Sequence, residues 1–188
     1  MRELYLRLLK ISVVLVALLS CGLPVLSQPP ASAPSSSSGP TGGVGGFVPA
    51  TPITDVCSLL TLSDIQTVLP GAQPGIEQGG PDTSNLGFWS RNCEWEVSDI
   101  SAENIELVIF GATSEQGLLG ITAAGHSSSG SPVAGLGTEA SYWVSDLTRG
   151  LWAIDGSLSV DVTTYFVTTV ATEEQLHPLV AKVLGEIK

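Results

Sequence analysis

The amino-terminal segment constrains this chain most strongly, because it separates a leader from the part that can fold. Arg2, Arg7 and Lys10 form a basic start, and residues 11–19 follow as an apolar run that only Ser12 interrupts. This run is about half of the ~20 residues that a helix needs to cross a bilayer. A basic start followed by a short apolar run is typical of a signal peptide. We therefore expect export, with the folded domain after the leader.

The apolar run ends on Leu18-Leu19-Ser20-Cys21, in which a small residue directly precedes a cysteine. This stretch resembles the bacterial lipobox, where the cysteine thiol is diacylated and the chain is cut just before it. The interpretation assigns residues 1–20 to a lipoprotein signal peptide and makes Cys21 the lipidation site. The acyl chains on Cys21 would hold the protein on the extracytoplasmic side of the cell membrane. An ordinary signal cut after Ala31-Ser32-Ala33 and an uncleaved anchor are the alternatives.

The segment after the lipobox has too little hydrophobicity to form a core. Residues 21–53 are rich in Pro, Ser and Gly, including four consecutive serines at 35–38. Such composition is typical of a flexible tether. The remaining residues, 54–188, suffice for a single globular domain and are too few for two.

The charge of the chain excludes one class of partner. Asp and Glu number 18 against 7 Lys and Arg, which gives a formal net charge of −11. The leader contains three of the basic residues, so its removal makes the chain still more acidic. A surface of this sign repels nucleic-acid phosphates and anionic lipid headgroups. We expect no nucleic-acid partner, and attachment to the membrane through lipid rather than through a basic patch.

The three cysteines divide into one and two. If Cys21 carries lipid, Cys57 and Cys93 remain, and in an oxidising compartment such a pair is expected to form a disulfide. Two buried free thiols are the alternative. Closing a loop of about 37 residues stabilises a fold by about 4 kcal/mol in the chain-entropy model. No metal is expected, because neither cysteine has a second Cys or a His at ligand spacing, and no cofactor is indicated.

Hydrophobic periodicity predicts an α+β domain with the order α-β-β-α-β-β-β-α. Helices are predicted over 61–69, over 114–124 and at the C-terminus, with strands over 91–97, 105–110, 138–145, 150–155 and 157–167. Residues 71–88 and 125–137 are interpreted as loops. Short connections favour a mainly antiparallel, five-stranded sheet with helices packed on one face. The last helix begins at Glu173, after a capping-box pattern, or at Pro178, because proline disfavours the second turn.

Alternation within the predicted strands separates two faces. In the last strand Leu158, Val160 and Val162 are predicted to face inward. Ser159, Asp161 and Thr163 are predicted to face outward.

Several motifs together resemble a known family. The motifs are Cys57-Ser58-Leu59-Leu60-Thr61 at a helix start, Cys93-x-Trp95 in a strand, and the Gly-Leu-Gly turn within residues 133–140. With the lipobox and the tether, they resemble the actinobacterial lipoproteins of "domain of unknown function 3558". The resemblance implies a cell-envelope lipoprotein with a disulfide between Cys57 and Cys93. It implies no reaction.

Two polar patterns are candidates for a catalytic or a metal site. Gly125-His126-Ser127-Ser128-Ser129 lacks the second glycine of Gly-x-Ser-x-Gly at the required position, and a polar loop is the simpler interpretation. An acidic cluster surrounds the first predicted hairpin: Glu94, Glu96, Asp99, Glu103 and Glu106. It lacks the spacing of a calcium loop, and a solvated strand face explains it. We expect no catalytic residues and no metal.

Aromatic residues provide the remaining candidates for binding. Trp95 and Trp152 are predicted to be core residues, whereas Trp89 and Trp143 are candidates to line a site for an apolar or sugar ligand. The leading hypothesis is a non-enzymatic envelope domain that binds a lipid, a glycan or a protein partner. A hydrolase acting on wall or lipid substrates and a structural or assembly factor are the alternatives.

Overall fold

The computed structural model describes residues 47–79, 84–97, 103–127, 130–165 and 171–187. Within these ranges the α-helices are α1 (Leu62–Gln66), α2 (Glu115–Ser127) and α3 (Glu173–Glu186), and short 3₁₀ turns occur at Cys57–Leu59 and Ser84–Leu86. The strands are β1 (Ile76–Gln78), β2 (Phe88–Glu96), β3 (Asn104–Ala112), β4 (Ser131–Pro132), β5 (Glu139–Val144), β6 (Thr148–Asp155) and β7 (Leu158–Tyr165). The α+β class is confirmed. The predicted signal peptide, Cys21 and the tether up to residue 46 lie outside the described residues.

The strands form one antiparallel sheet in the order β1-β2-β3-β7-β6-β5-β4. The prediction of five strands is therefore wrong, since the described residues contain seven. The two missed strands, β1 and β4, are the edges of the sheet and lie in segments interpreted as loops. Strands of two or three residues are too short to show an alternating pattern, and short edge strands are a common way to limit edge-to-edge pairing.

The first face of the sheet carries the main core. Leu107 pairs with Val162, and Val162 pairs with Leu151, so the three side chains form one row across neighbouring strands. All three are fully buried against α1 and α3. Burying a side chain of this size contributes about 1.5–3 kcal/mol, so such rows fix the register of the central strands.

Helix α3 begins at Glu173, which decides between the two predicted starts. Thr172 is its N-cap, and Gln175 completes a capping box by accepting the Thr172 backbone N–H at 3.0 Å. Pro178 lies inside the helix. The carbonyl of Glu174, to which Pro178 cannot donate, belongs to an exposed residue, so water can satisfy it and the helix continues.

The second face of the sheet is also covered, in part, by a helix. Helix α2 packs there on a smaller cluster of buried apolar residues, which are Ala112, Ile121, Trp152 and Ile154. The prediction that helices cover a single face is therefore wrong. Ser159 and Thr163, which alternation predicts to face outward, lie on this second face by register and are buried there.

Residues that precede the predicted domain boundary also belong to the fold. The backbone N–H of Ala50 donates to the carbonyl of Ala112 at 2.8 Å. The Trp89 indole Nε1 donates to the carbonyl of Ala50 at 3.2 Å. Phe47 packs against the α2 cluster. The folded part therefore includes residues 47–53, which belong to the predicted tether by composition.

The predicted disulfide between Cys57 and Cys93 is present and joins the first 3₁₀ turn to β2, with 5.2 Å between the two Cα atoms. Cys93 is fully buried on the first face of the sheet. The bond therefore attaches the segment before α1 to the centre of the core.

Among the helices of the described ranges, none combines the length and the apolar character that crossing a membrane requires.

Candidate functional site

Helix α2 leaves part of the second face uncovered, and a cavity of about 220 Å³ lies beside it. We call this cavity the α2 cleft. The sheet contributes four aromatic rings to its lining, which are Phe88, Phe110, Trp143 and Trp152, together with Asp161. The helix contributes a wall of small and aliphatic residues, which are Gly120, Ile121, Ala124 and Gly125. An apolar concave site with one polar group is the usual form of a small-molecule pocket.

Glycines allow α2 to lie close to the sheet. A Cβ atom built on Gly125 would be 2.2 Å from the Trp152 ring, and one built on Gly117 would be 1.8 Å from the Gly87 carbonyl oxygen. Both distances are far below van der Waals contact, so a side chain at either position would push the helix outward. The same glycines lower the helix propensity of this segment in the sequence.

Trp143 borders the cleft because of a glycine on the neighbouring strand. Trp143 pairs with Gly150, and a Cβ atom on Gly150 would be 2.3 Å from the indole. The ring therefore lies across the β6 backbone, on the same face as Asp161. Trp89, the other sequence candidate, lies over Gly111 in the same way but on the opposite face. Its indole donates to Ala50, so Trp89 does not line the cleft.

Among the residues that the structure describes, Asp161 is the one acidic group that lines the cleft. It lies in the middle of β7, paired with Val108 on one side and Trp152 on the other. The Thr163 hydroxyl donates to its Oδ1 at 3.0 Å. Burial raises the pKa of Asp161 to about 6, and the negative charge of Glu106 contributes to the rise. Sequence alternation placed Asp161 outward and gave no reason to select it, because alternation does not show what covers the outward face.

An acidic, hydrogen-bonded surface continues from the cleft across β2 and β3. Asn92 Nδ2 donates to Glu106 Oε1 at 2.9 Å, and the Tyr165 hydroxyl donates to Glu106 Oε2 at 3.3 Å. Asn104 Nδ2 donates to Glu94 Oε1. Burial raises the pKa of Tyr165, and Glu106 raises it further. The phenol therefore remains a neutral donor on a surface that contains two acidic side chains, Glu94 and Glu106.

The basic side chains of the described residues are engaged elsewhere. Arg91 and Arg149 belong to the first face by register and donate to backbone carbonyls, at 2.9 Å to Ser90 and 2.8 Å to Thr148. Lys182 of α3 bonds Asp64 Oδ2 at 2.6 Å and holds the pKa of that carboxyl below its usual value. No Lys or Arg in the described ranges lines the α2 cleft.

The pattern at residues 125–129 begins in a helix and not in a loop. Helix α2 extends through residue 127, so Gly125 and His126 are helical rather than part of a loop. His126 Nε2 contacts Glu139 Oε1, and its ring meets the Trp152 ring edge-on at 6.1 Å. Ser128 and Ser129 lie outside the described residues.

The acidic cluster of the sequence is likewise divided. Glu94, Glu96 and Glu106 share the second face by register, whereas Glu103 is buried, and Asp99 lies outside the described residues. Over the part of the chain that the structure describes, no three His, Cys, Asp or Glu residues are grouped so as to hold a metal ion.

Comparison with known proteins provides little further information. No model of a known protein family matches the chain, and no curated protein matches it. Among solved structures, the extracellular domain of PknH from Mycobacterium tuberculosis is similar, with 12% identity and a TM-score of 0.43 over 73% of this chain and 97% of that one. This similarity is too distant to carry an inference about the chain described here.

Proposed function

We propose that this chain is a lipid-anchored, extracytoplasmic lipoprotein whose folded domain binds a small ligand in the α2 cleft without catalysing a reaction. The observation that carries the proposal is the cleft itself, in which aromatic rings from four strands face a wall of small helical residues and, among the described residues, one carboxylate whose pKa is raised by burial. A preformed apolar cavity with one fixed polar group is suited to orienting a ligand.

Two independent features support the proposed extracytoplasmic location of the protein. The lipobox-like Leu18-Leu19-Ser20-Cys21 supports export and lipidation at Cys21. The Cys57–Cys93 disulfide supports an oxidising compartment, because such bonds persist mainly outside the cytosol. Both are consistent with the resemblance to the envelope lipoproteins of domain of unknown function 3558, to which we propose the chain is related.

The cleft is better suited to binding than to turnover. A carboxyl with a raised pKa can act as a general acid, but catalysis also needs a second group that attacks or stabilises charge. The carboxylate of Glu106, whose charge acts on Asp161, accepts hydrogen bonds from Asn92 and Tyr165. The other described residues of the lining contribute aromatic rings and a wall of glycine, alanine and isoleucine. This arrangement favours a bound ligand that leaves unchanged.

Blocking the cleft tests the proposal. Gly120 lines the cleft, and a Cβ atom on it would meet nothing within 4 Å, so Gly120→Phe adds a ring at the wall without a clash at the Cβ atom. Gly185 of α3 is also helical, exposed and open at Cβ. Gly185→Phe is therefore a matched control that adds the same ring far from the cleft in the fold.

The measurement is native mass spectrometry of the lipoprotein purified from its own membranes. We expect a small molecule bound to the wild type and to Gly185→Phe, and absent from Gly120→Phe. Equal occupancy in all three proteins, or none in the wild type, would contradict ligand binding in the cleft. Conversion of an envelope extract by the wild type would replace the proposal with a hydrolase.

A further inference from the structure

We propose that the α2 cleft selects an organic cation, an ammonium group carried on an apolar body, with Asp161 as its counter-ion. The inference rests on the proposed ligand binding and assigns the chemical class of the ligand. In this arrangement the apolar body packs between Phe88 and Phe110 and the α2 wall, and the ammonium lies between Asp161 and the indoles of Trp143 and Trp152.

The lining of the cleft favours a cation through its aromatic rings. The face of an indole ring attracts a cation more strongly than other aromatic faces do, and the attraction grows when water is excluded. Trp143 is held flat across Gly150, and Trp152 is buried under Gly125. Both rings share the face of the sheet that contains Asp161. Quaternary and alkyl ammonium groups are recognised by this combination of rings and a carboxylate.

The charge around the cleft favours the same ligand class and opposes others. Glu106 and Glu94 lie on the same face of the sheet as Asp161, and in the described ranges no Lys or Arg lines the cavity. An anionic ligand would be repelled. A neutral sugar needs several hydrogen-bond partners to replace its water, and the lining offers one carboxylate among apolar groups. A cation needs only the counter-charge and the rings.

The energetics of Asp161 point in the same direction. An ionised carboxylate in an apolar cavity without a counter-charge is costly. A bound ammonium would remove that cost and favour the ionised form of Asp161. Binding of the cation is therefore expected to strengthen as the pH rises through the pKa of about 6.

A set of three probes with one shared body tests the charge preference. Phenethylammonium, 2-phenylethanol and phenylacetate present a cation, a neutral group and an anion on the same phenethyl or benzyl frame. Isothermal titration calorimetry at neutral pH with the mature lipoprotein in non-ionic detergent should rank the cation first. We expect it to bind about tenfold more tightly than the alcohol, and phenylacetate to bind most weakly.

Two variants separate Asp161 from the general negative charge. Asp161→Asn should bring the cation and the alcohol to similar affinity. Glu96→Gln removes one charge from the exposed end of β2, outside the cleft, and should keep the tenfold preference. Retention of the preference in Asp161→Asn would overturn the assignment of the counter-ion.

The pH dependence adds a second readout. The groups that face Asp161 are Glu106 from β3, Thr163 and Tyr165 from β7, and Trp152 from β6. The described residues of the α2 wall, Gly120, Ile121, Ala124 and Gly125, have no titratable side chain. His126 is an ionisable residue whose ring lies against Trp152, so His126→Gln is the control. The wild type and His126→Gln should lose the cation preference between pH 7 and pH 5, because Asp161 becomes protonated while an alkylammonium does not.

The outcomes distinguish this inference from the proposed function. If the alcohol or phenylacetate binds as tightly as phenethylammonium, cation selectivity is wrong, while a ligand-binding cleft remains supported. If none of the three probes binds, the cation assignment also fails. A bound species in the native mass spectrum that Gly120→Phe removes would still support the proposed function. If His126→Gln abolishes the pH dependence, His126 rather than Asp161 is responsible, and the counter-ion assignment is overturned.

Discussion

Asp161→Asn should make the folded domain more stable at neutral pH, although it removes a charged group from the centre of the sheet. The pKa of Asp161 is about 6, against 3.8 for an ordinary aspartate. At 1.36 kcal/mol per pH unit, this difference corresponds to a destabilisation of at most about 3 kcal/mol when the group is ionised. Asparagine has nearly the same shape, and its oxygen can still accept the hydroxyl of Thr163, now 3.0 Å from Asp161 Oδ1.

The sign follows from where the protons are bound. Below about pH 4 the carboxyl is protonated in both the folded and the unfolded chain, so the group adds no penalty. Between about pH 4 and pH 6 the unfolded chain releases its proton while the folded protein keeps it. The folded protein binds more protons in this window, so its stability falls as the pH rises. Above the window the full penalty is present.

The assay is urea unfolding followed by tryptophan fluorescence, for the wild type and Asp161→Asn, at several pH values from 4 to 8 with the disulfide intact. We expect the two free energies of unfolding to be similar near pH 4 and to diverge until the variant is about 2–3 kcal/mol more stable near pH 7. Glu96→Gln serves as the control for removal of one negative charge. A difference between wild type and Asp161→Asn that is the same at every pH would refute the reasoning.

Three further predictions concern the packing, the disulfide and the anchor. Gly125→Ala should destabilise the domain by about 1–3 kcal/mol in urea unfolding, because the new Cβ overlaps the Trp152 ring. Gly120→Ala should stabilise the domain by up to about 1 kcal/mol, because its Cβ meets no neighbour and alanine favours a helix. Equal effects of the two substitutions would contradict the close packing of α2. Replacing Cys57 and Cys93 together by Ser should lower the free energy of unfolding by about 4 kcal/mol, and a change below about 1 kcal/mol would show that the bond adds little. Cys21→Ala should move the protein from the membrane fraction to the soluble fraction of a cell lysate, and retention in the membrane would contradict lipid anchoring at this residue.

The central elements of the fold could be predicted because their patterns are long and their stop signals are clear. Alternation over residues 91–97 predicts most of β2, and Asp155-Gly156, a pair typical of tight turns, connects β6 and β7. The capping box at Thr172 favoured the earlier of the two starts for α3. These signals are local, since each depends on residues a few positions apart. The edge strands β1 and β4 gave no such signal because pairing with a neighbouring strand defines them.

The packing of α2 on the second face of the sheet could not be predicted from the sequence, for a physical reason. Alternation shows that Ser159, Asp161 and Thr163 share a face, but it does not show whether that face meets water or another element. The segment of α2 has weak helix propensity because of its glycines. In the folded domain Gly125 lets the helix lie directly on the Trp152 ring, a contact that the local sequence does not show. Alternation predicts that Trp143 lies on the strand face opposite Tyr142 and Val144, and Trp89 is a candidate because it lies at the end of a predicted loop. The strand register places Trp143 and Trp89 on opposite faces of the sheet. Register depends on pairing between strands, which the local sequence pattern does not show.

Gly120 connects the weak helix propensity of α2 with the proposed cleft. Packing explains Gly117 and Gly125, since a Cβ on either would overlap a neighbour. Gly120 has no such neighbour, and no positive φ requires glycine there. A glycine in a helix interior costs about 1 kcal/mol relative to alanine, so this position gives up stability without a packing reason. What its missing side chain does provide is room at the wall of the α2 cleft. If that room is used, larger apolar residues at this position should make the domain more stable and the ligand weaker in the same series. Proteins commonly give up stability in this way at a binding site.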